Sequence, residues 1–365
     1  GSQETYTVSI YLAHSMGGGA EAYLQDRISR KHLAIGQSAV VLRVGGPMRW
    51  RLELVTPHGT ISGLNNSFEY ICDMLAPIKQ RQIIYSCGVG DNAPVTLPGA
   101  LLSLSEHGRH PIEVLFHDYF VLSPSYTLLD GNGIYRGLPR PGDPDHEHFS
   151  AKDQNGEKVT LEVWQTQWHL LVSAAKTLTV FSRNSAKIVA AAYPEEADKI
   201  FINPHTMLHP VPRLPVPNPE AKRVIGILGD IGAQKGAGVI AYIARPMALV
   251  NVRLVIIGNF DPSFRLPTGI TVHGSYKISD LPQIASRYGI TDWLIPSIWP
   301  ETFSFTTHEA LSTGLPVHAF HLGAQGDAVE DAQNGIPVRY GEGEAPQEAL
   351  RRHLVRYLNQ SKRAA

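Results

Sequence analysis

Short apolar runs recur along this chain, and most are followed by a stretch with helical spacing. In the first half they fall at residues 7–12, 38–43, 82–87, 112–116, 178–181 and 200–202. In the second they fall at 223–229, 252–257, 270–274, 293–295 and 316–319. Helical patterns fill the gaps at 20–33, 97–106, 159–176 and 280–288, from 305 onward, and at 345–358. Strands that are apolar throughout must be covered on both faces, and crossover helices provide that cover in parallel sheets. The pattern predicts an α/β chain. Pro210, Pro212, Pro215, Pro217 and Pro219 crowd into a stiff extended stretch between the halves. The expected division is a first domain at 1–206, a linker at 207–222, a second domain at 223–345 and a C-terminal helix at 346–365.

The most informative stretch follows the apolar run Trp293-Leu294-Ile295. Pro296 and Pro300 turn the backbone out of the strand, and a helix is expected from about Phe305 to Gly314. Glu301 then lies in the loop and Glu309 on the helix, seven residues between them. The backbone N–H groups of Phe303, Ser304, Phe305 and Thr306 stand at a helix start, where anions are favoured. Two carboxylates flanking such a point can grip hydroxyls while the helix end holds phosphate. A nucleoside diphosphate carrying a sugar presents that combination.

This stretch resembles the Glu-x7-Glu motif of retaining glycosyltransferases of family 4, the group 1 type found in bacterial surface-polysaccharide synthesis. The resemblance implies the GT-B architecture, two Rossmann-like domains facing across a cleft. It also implies transfer of a sugar from a UDP- or GDP-sugar to a glycan or lipid-linked acceptor, with donor binding mainly on the second domain. Glu301 would contact donor hydroxyls, Glu309 the ribose, and Tyr276 the base. His14-Ser15-Met16-Gly17-Gly18-Gly19 follows the first strand. Its Gly17 and Gly18 would lie beside the donor phosphates, since glycine lets backbone approach a ligand closely. It is not read as a dinucleotide site, because the next strand ends in Arg43 and not in an acid. His117 ends the strand at 112–116, the end at which open α/β sheets bind ligands. The resemblance places it near the donor sugar as a catalytic residue beside Glu301, and Asp118 is expected to orient its ring.

Asp230-Ile231-Gly232-Ala233-Gln234-Lys235-Gly236 resembles the family loop that clamps the diphosphate. Lys235 matches the clamping lysine. Asp230 stands where an arginine is usual, and Arg183 and Arg265 are candidate substitutes for that cation. No metal or other cofactor is expected, because Lys235 and the helix start supply the positive charge. Asp143-Pro144-Asp145 and His146-Glu147-His148 mimic metal motifs but read better as a solvated loop. His205 reads as a turn residue, Trp164 and Trp168 as core, and 323–326 as a loop. The final helix is expected to pack back onto the first domain.

At 365 residues and 43% hydrophobic content the chain can build two sizeable cores. A formal net charge of −1 argues against a nucleic-acid partner. Two cysteines, Cys72 and Cys87, make no disulfide framework and suit a reducing cytoplasm. No apolar run reaches membrane-spanning length, so any membrane association is expected to be peripheral, at the inner face. Gly1-Ser2 reads as a cloning remnant, which leaves open that the chain is one domain of a longer protein. Two other readings stay open: a sugar-nucleotide epimerase, and a non-catalytic nucleotide-sugar-binding module.

Overall fold

In the computed structural model the described residues are 6–143, 151–153, 155–207, 211–218, 221–341 and 344–364. The chain divides into two compact units. Unit 1 holds Gly1–Asn132 and Arg136–His205, and unit 2 holds Gly133–Tyr135 and Thr206–Ala365.

Unit 1 begins with β1 (Val8–His14), α1 (Gly19–Lys31) and β2 (Ala39–Val44). A hairpin, β3 (Trp50–Thr56) and β4 (Gly59–Asn65), leads into α2 (Phe68–Leu75) and β5 (Arg81–Tyr85). Then come α3 (Leu97–Leu104), β6 (Ile112–Leu115), α4 (Leu161–Ala174), β7 (Thr177–Val180), α5 (Arg183–Ala192) and β8 (Ile200–Ile202). The eight strands are ordered β4-β3-β2-β1-β5-β6-β7-β8. They pair in parallel except where β3 joins β2 and β4. The central strands are buried along nearly their whole length, as a sheet covered on both faces requires. Trp164 and Trp168 of α4 are fully buried, as their spacing predicts.

Unit 2 runs β9 (Val224–Leu228), α6 (Ala237–Leu249), β10 (Arg253–Ile257), β11 (Thr271–Val272), α7 (Leu281–Tyr288), β12 (Asp292–Ile295), α8 (Phe305–Ser312), β13 (Val317–Phe320), α9 (Gly323–Asp331), β14 (Gly335–Val338) and α10 (Pro346–Ala364). Its six strands are all parallel, in the order β11-β10-β9-β12-β13-β14. Gly226 sits mid-strand in β9 because the Trp293 ring fills the place a side chain would take; an added Cβ would lie 2.6 Å from it.

One expectation about unit 2 is corrected. Residues 323–326 open helix α9 and are not a loop. Their glycines serve close packing: a Cβ at Gly323 would stand 2.4 Å from the Glu301 nitrogen. The C-terminal helix packs into the core of unit 2, where Leu350, Leu354 and Leu358 join Ile240, Ile243 and Met247 of α6.

Candidate functional site

The loop between β12 and α8 is held by four neighbouring residues. The Pro296 carbonyl abuts Gly236, the N-cap of α6, so closely that a Cβ there would lie 2.1 Å from the oxygen. Ile298 donates its backbone N–H to the Gln234 carbonyl at 3.1 Å. Gln325 of α9, fully buried, donates to the Trp299 carbonyl at 2.7 Å and accepts the Glu301 N–H at 3.2 Å. Ala324 donates to the Glu301 carbonyl at 2.7 Å. Glu301 is thus fixed through its backbone before its side chain makes any contact.

That side chain is 2% exposed. Its Oε2 lies 2.7 Å from Lys235 Nζ, while its buried Oε1 has no hydrogen-bond partner. An unsatisfied buried carboxylate oxygen is costly and calls for an explanation. A hydroxyl-bearing ligand would supply the missing donor. Lys235 keeps a third of its side-chain surface open, and an ammonium has protons for more than one acceptor.

The start of α8 adjoins the same loops. Its N-cap, Ser304, takes a hydrogen bond from Thr307 Oγ1 at 2.7 Å and does not cap the helix with its own hydroxyl. Thr306 packs against Gly229 at the end of β9, where a Cβ would meet the threonine methyl at 3.1 Å. Phe303 stacks on His308 at 4.8 Å and meets Phe305 edge-on at 4.9 Å. One turn along α8, burial raises the Glu309 carboxyl to about 7. The Tyr276 hydroxyl is pushed up by burial and further by the charges of Glu309 and Asp230, which places the three in one neighbourhood. Asp230 accepts from both the backbone N–H and the side-chain amide of Asn259, each at 2.9 Å. Arg265 is exposed, and Arg183 is the first residue of α5 in unit 1.

Gly17, Gly18 and His117 belong to unit 1. Gly18 is the N-cap of α1 at φ 104°, a backbone conformation natural to glycine. Neither Gly17 nor Gly18 has an atom within 4 Å of where a side chain would begin. Arg43 is buried between Glu21 and Glu53, which ties α1 to the sheet edge. His117 stacks on Phe181 at 4.6 Å, with Tyr23 edge-on at 4.9 Å. His205 completes the cluster, stacked on Phe181 at 4.2 Å; it is a packed aromatic residue and not merely a turn residue. Burial holds His117 well below its ordinary range, helped by the nearby His205, Arg27 and His14. Burial likewise lowers His205 to about 4. Asp118 is engaged elsewhere than at the His117 ring. Its carboxylate accepts the Phe120 N–H at 2.8 Å and the Cys87 thiol at 3.1 Å.

Sequence reasoning missed Gln325, Gly323 and Asn259, which hold the site from other elements. The Asp143 carboxylate accepts the Arg140 N–H within a turn. The remaining metal-like positions, Asp145, His146, Glu147 and His148, lie outside the described residues. Among the described residues no group of three His, Cys, Asp or Glu side chains is arranged to hold a metal ion. Nor is any helix among them long and apolar enough to cross a membrane.

Residues 222–356 match the family described as "Glycosyl transferases group 1". A GDP-mannose-dependent alpha-mannosyltransferase of Mycobacterium tuberculosis is 30% identical over 142 residues, covering 38% of this chain and 36% of that protein. The aligned stretch thus spans about a third of that curated relative. Sucrose-phosphate synthase from Thermosynechococcus elongatus aligns with a TM-score of 0.60 at 15% identity, over 97% of this chain and 90% of the other. Anabaena HepE in complex with UDP-glucose aligns with a TM-score of 0.58 at 16% identity, over 98% and 91%. The chain therefore has the GT-B glycosyltransferase fold, and the stretch that matches the group 1 family contains Lys235, Glu301 and Glu309.

Proposed function

We propose that the protein is a retaining glycosyltransferase that takes its sugar from a UDP- or GDP-sugar held by unit 2. The observation that carries this reading is Glu301: a buried carboxylate, paired with Lys235 through one oxygen and unsatisfied at the other. Donor hydroxyls satisfy Oε1, and the diphosphate takes the remaining protons of Lys235 and the N–H groups opening α8. Glu309 accepts from the ribose, and Tyr276 lies against the base. The mannosyltransferase relative and the UDP-glucose complex support a nucleotide-sugar donor.

In the reaction the bond from the anomeric carbon to the phosphate oxygen breaks, and its electrons stay on the diphosphate. Lys235 and the helix start stabilise that charge, which is typically the largest catalytic contribution. The acceptor oxygen bonds to the anomeric carbon on the face the phosphate leaves, and its proton passes to the departing phosphate. A metal ion is not required by this scheme. The assignment of His117 to the reacting sugar, of unit 1 to a glycan or lipid-linked acceptor, and of the pathway to surface polysaccharide rests on the family resemblance.

The test is a thermal-shift screen of UDP, GDP and their sugars, followed by transfer assays with and without EDTA. A nucleotide sugar should raise the melting temperature, and EDTA should leave turnover intact. Glu301→Gln should keep the fold and lower transfer at least 100-fold. Donor hydrolysis or epimerisation without acceptor would favour an epimerase. Binding without any transfer would favour a binding module.

A further inference from the structure

The sheet of unit 1 ends on one side in β4, and among the described residues that edge is unlike the others. An edge strand turns a row of N–H and C=O groups to solvent, and proteins blunt such rows with short strands, charged side chains, prolines or bulges. The far edge of the same sheet, β8, has three residues, and the edges of the unit 2 sheet, β11 and β14, have two and four. β4 has seven. It pairs with β3 without a bulge, from Thr56 opposite Gly59 to Trp50 opposite Asn65. From Leu54 to Phe68 the chain has no Asp, Glu, Lys or Arg, and Pro57 lies in the turn between the strands. Ile61 is 71% exposed, and Leu54, which faces it across the hairpin, is 42% exposed.

The turn decides which backbone groups are open. Two residues, Pro57 and His58, separate the strands, so Thr56 and Gly59 form the hydrogen-bonded pair that closes the hairpin. Such pairs alternate along an antiparallel ladder. Gly59, Ile61, Gly63 and Asn65 therefore bond to β3, while Thr60, Ser62 and Leu64 turn their N–H and C=O groups outward. The outward set is symmetric about Ser62. Laid antiparallel on a second copy with Ser62 opposite Ser62, β4 sets Thr60 opposite Leu64 of that copy, and every outward group finds a partner. The same register puts Ile61 opposite Gly63 of the second copy. A side chain added at Gly63 would meet no atom within 4 Å, so each isoleucine has open space over the other copy's glycine. Leu54, Ile61 and Leu52 of the second copy then form one apolar row across the joint. With no charged residue on either edge, nothing repels a like copy, whereas a different strand would have to bring its own matching order of large and small residues. We propose that the chain forms a two-fold dimer through this edge, which joins two eight-stranded sheets into one. About six backbone hydrogen bonds cross the joint. This association uses unit 1 alone and does not rest on the glycosyltransferase reading.

Sedimentation velocity on the full chain from about 1 to 100 μM tests it. The wild type should pass from monomer toward dimer as concentration rises, and equally so in about 1 M salt, since no ion pair holds the contact. Ile61→Lys sets an ammonium into the joint, and Ser62→Pro removes an outward N–H that β3 does not use. Each should weaken the dimer at least about tenfold while melting close to wild type. Ser62→Cys should give a disulfide-linked dimer on mild oxidation, beyond any background from Cys72 and Cys87, because opposed α-carbons in a hydrogen-bonded pair lie about 5.5 Å apart. Thr60→Cys should not, because Leu64 and not Thr60 of the second copy lies opposite. A wild type that stays monomeric at the top of the concentration range overturns the proposal and leaves the edge to a strand of another protein. A dimer that survives both Ile61→Lys and Ser62→Pro, or that cross-links through Thr60→Cys as well as through Ser62→Cys, also overturns it, since its two-fold axis then lies elsewhere.

Discussion

Glu309 carries a conflict between stability and binding. Burial lifts its carboxyl to about 7, from 4.5 in an exposed setting. The folded chain therefore holds a proton that the unfolded chain has released between those values, and this stabilisation is lost as pH rises from 4.5 through 7. Ribose hydroxyls bond more strongly to the ionised form, whose hydrogen bonds are charge-assisted. Nucleotide affinity should then fall by up to about tenfold per pH unit below 7, where binding must expel the proton. Glu309→Gln should bind nucleotide more weakly and without that dependence. It should also melt several degrees higher than wild type at pH 8, and nearly level with it at pH 5. Calorimetric titrations at pH 6, 7 and 8, with melts at pH 5 and 8, check both halves. An affinity independent of pH in the wild type would remove Glu309 from the ribose.

At the scale of elements, glycines that permit close approach hold the site together. Gly236 has φ 89° and sits under the Pro296 carbonyl, so Gly236→Ala must push the Glu301 loop away or unwind the start of α6. Gly18 has φ 104° and ψ −167° with open space around it, and alanine there meets backbone strain alone, about 1–3 kcal/mol. Gly236→Ala should therefore cost clearly more stability than Gly18→Ala and should abolish the nucleotide-induced shift, as paired thermal melts would show. Equal melting of the two variants would mean that the 236–296 contact is not needed. The same elements show what a sequence reveals. The two-glutamate loop was legible because strand, prolines and helix start are adjacent in the chain. Gln325 was not, since it grips Glu301 across 24 positions and sits in a glycine-rich stretch that reads as a loop. The β3–β4 hairpin escaped notice because β4 is exposed along almost its whole length and lacks an apolar signature. His205 follows a strand and a proline, which suggests a turn; only folding brings Phe181 beneath it.

Across the whole molecule, half-buried histidines held neutral by their surroundings make both units sensitive to acid. His205 in unit 1 and His353 in unit 2 are each lowered to about 4, first by burial; His318 and Arg352 add to the effect at His353. His353 Nε2 lies 3.0 Å from His318 Nδ1, and His318 faces Asp292, which also accepts from Tyr357 of α10 at 2.7 Å. Burial alone would raise Asp292, but the His318 ring 3.7 Å away and hydrogen bonds from Thr291 and Tyr357 outweigh it and bring the carboxyl to about 2. This cluster ties the C-terminal helix to β12 and β13. A histidine depressed from 6.5 gives full stability above that pH and loses it as pH falls toward 4, because the unfolded chain takes up protons first. Each contributes at most about 3 kcal/mol before solvent screening is allowed for. Such losses are a large fraction of the ~5–15 kcal/mol that keeps a domain folded. Asp292 adds its own loss only below 3.8. Scanning calorimetry should show the melting temperature falling steeply between pH 6.5 and 4, with Glu309 moderating the fall in unit 2 because its shift has the opposite sign. His353→Asn removes one titrating group, so the decline of the unit 2 transition should be shallower while that of unit 1 is unchanged. A wild-type melting temperature that holds level down to pH 4 would show that these imidazoles are not held uncharged in the folded chain.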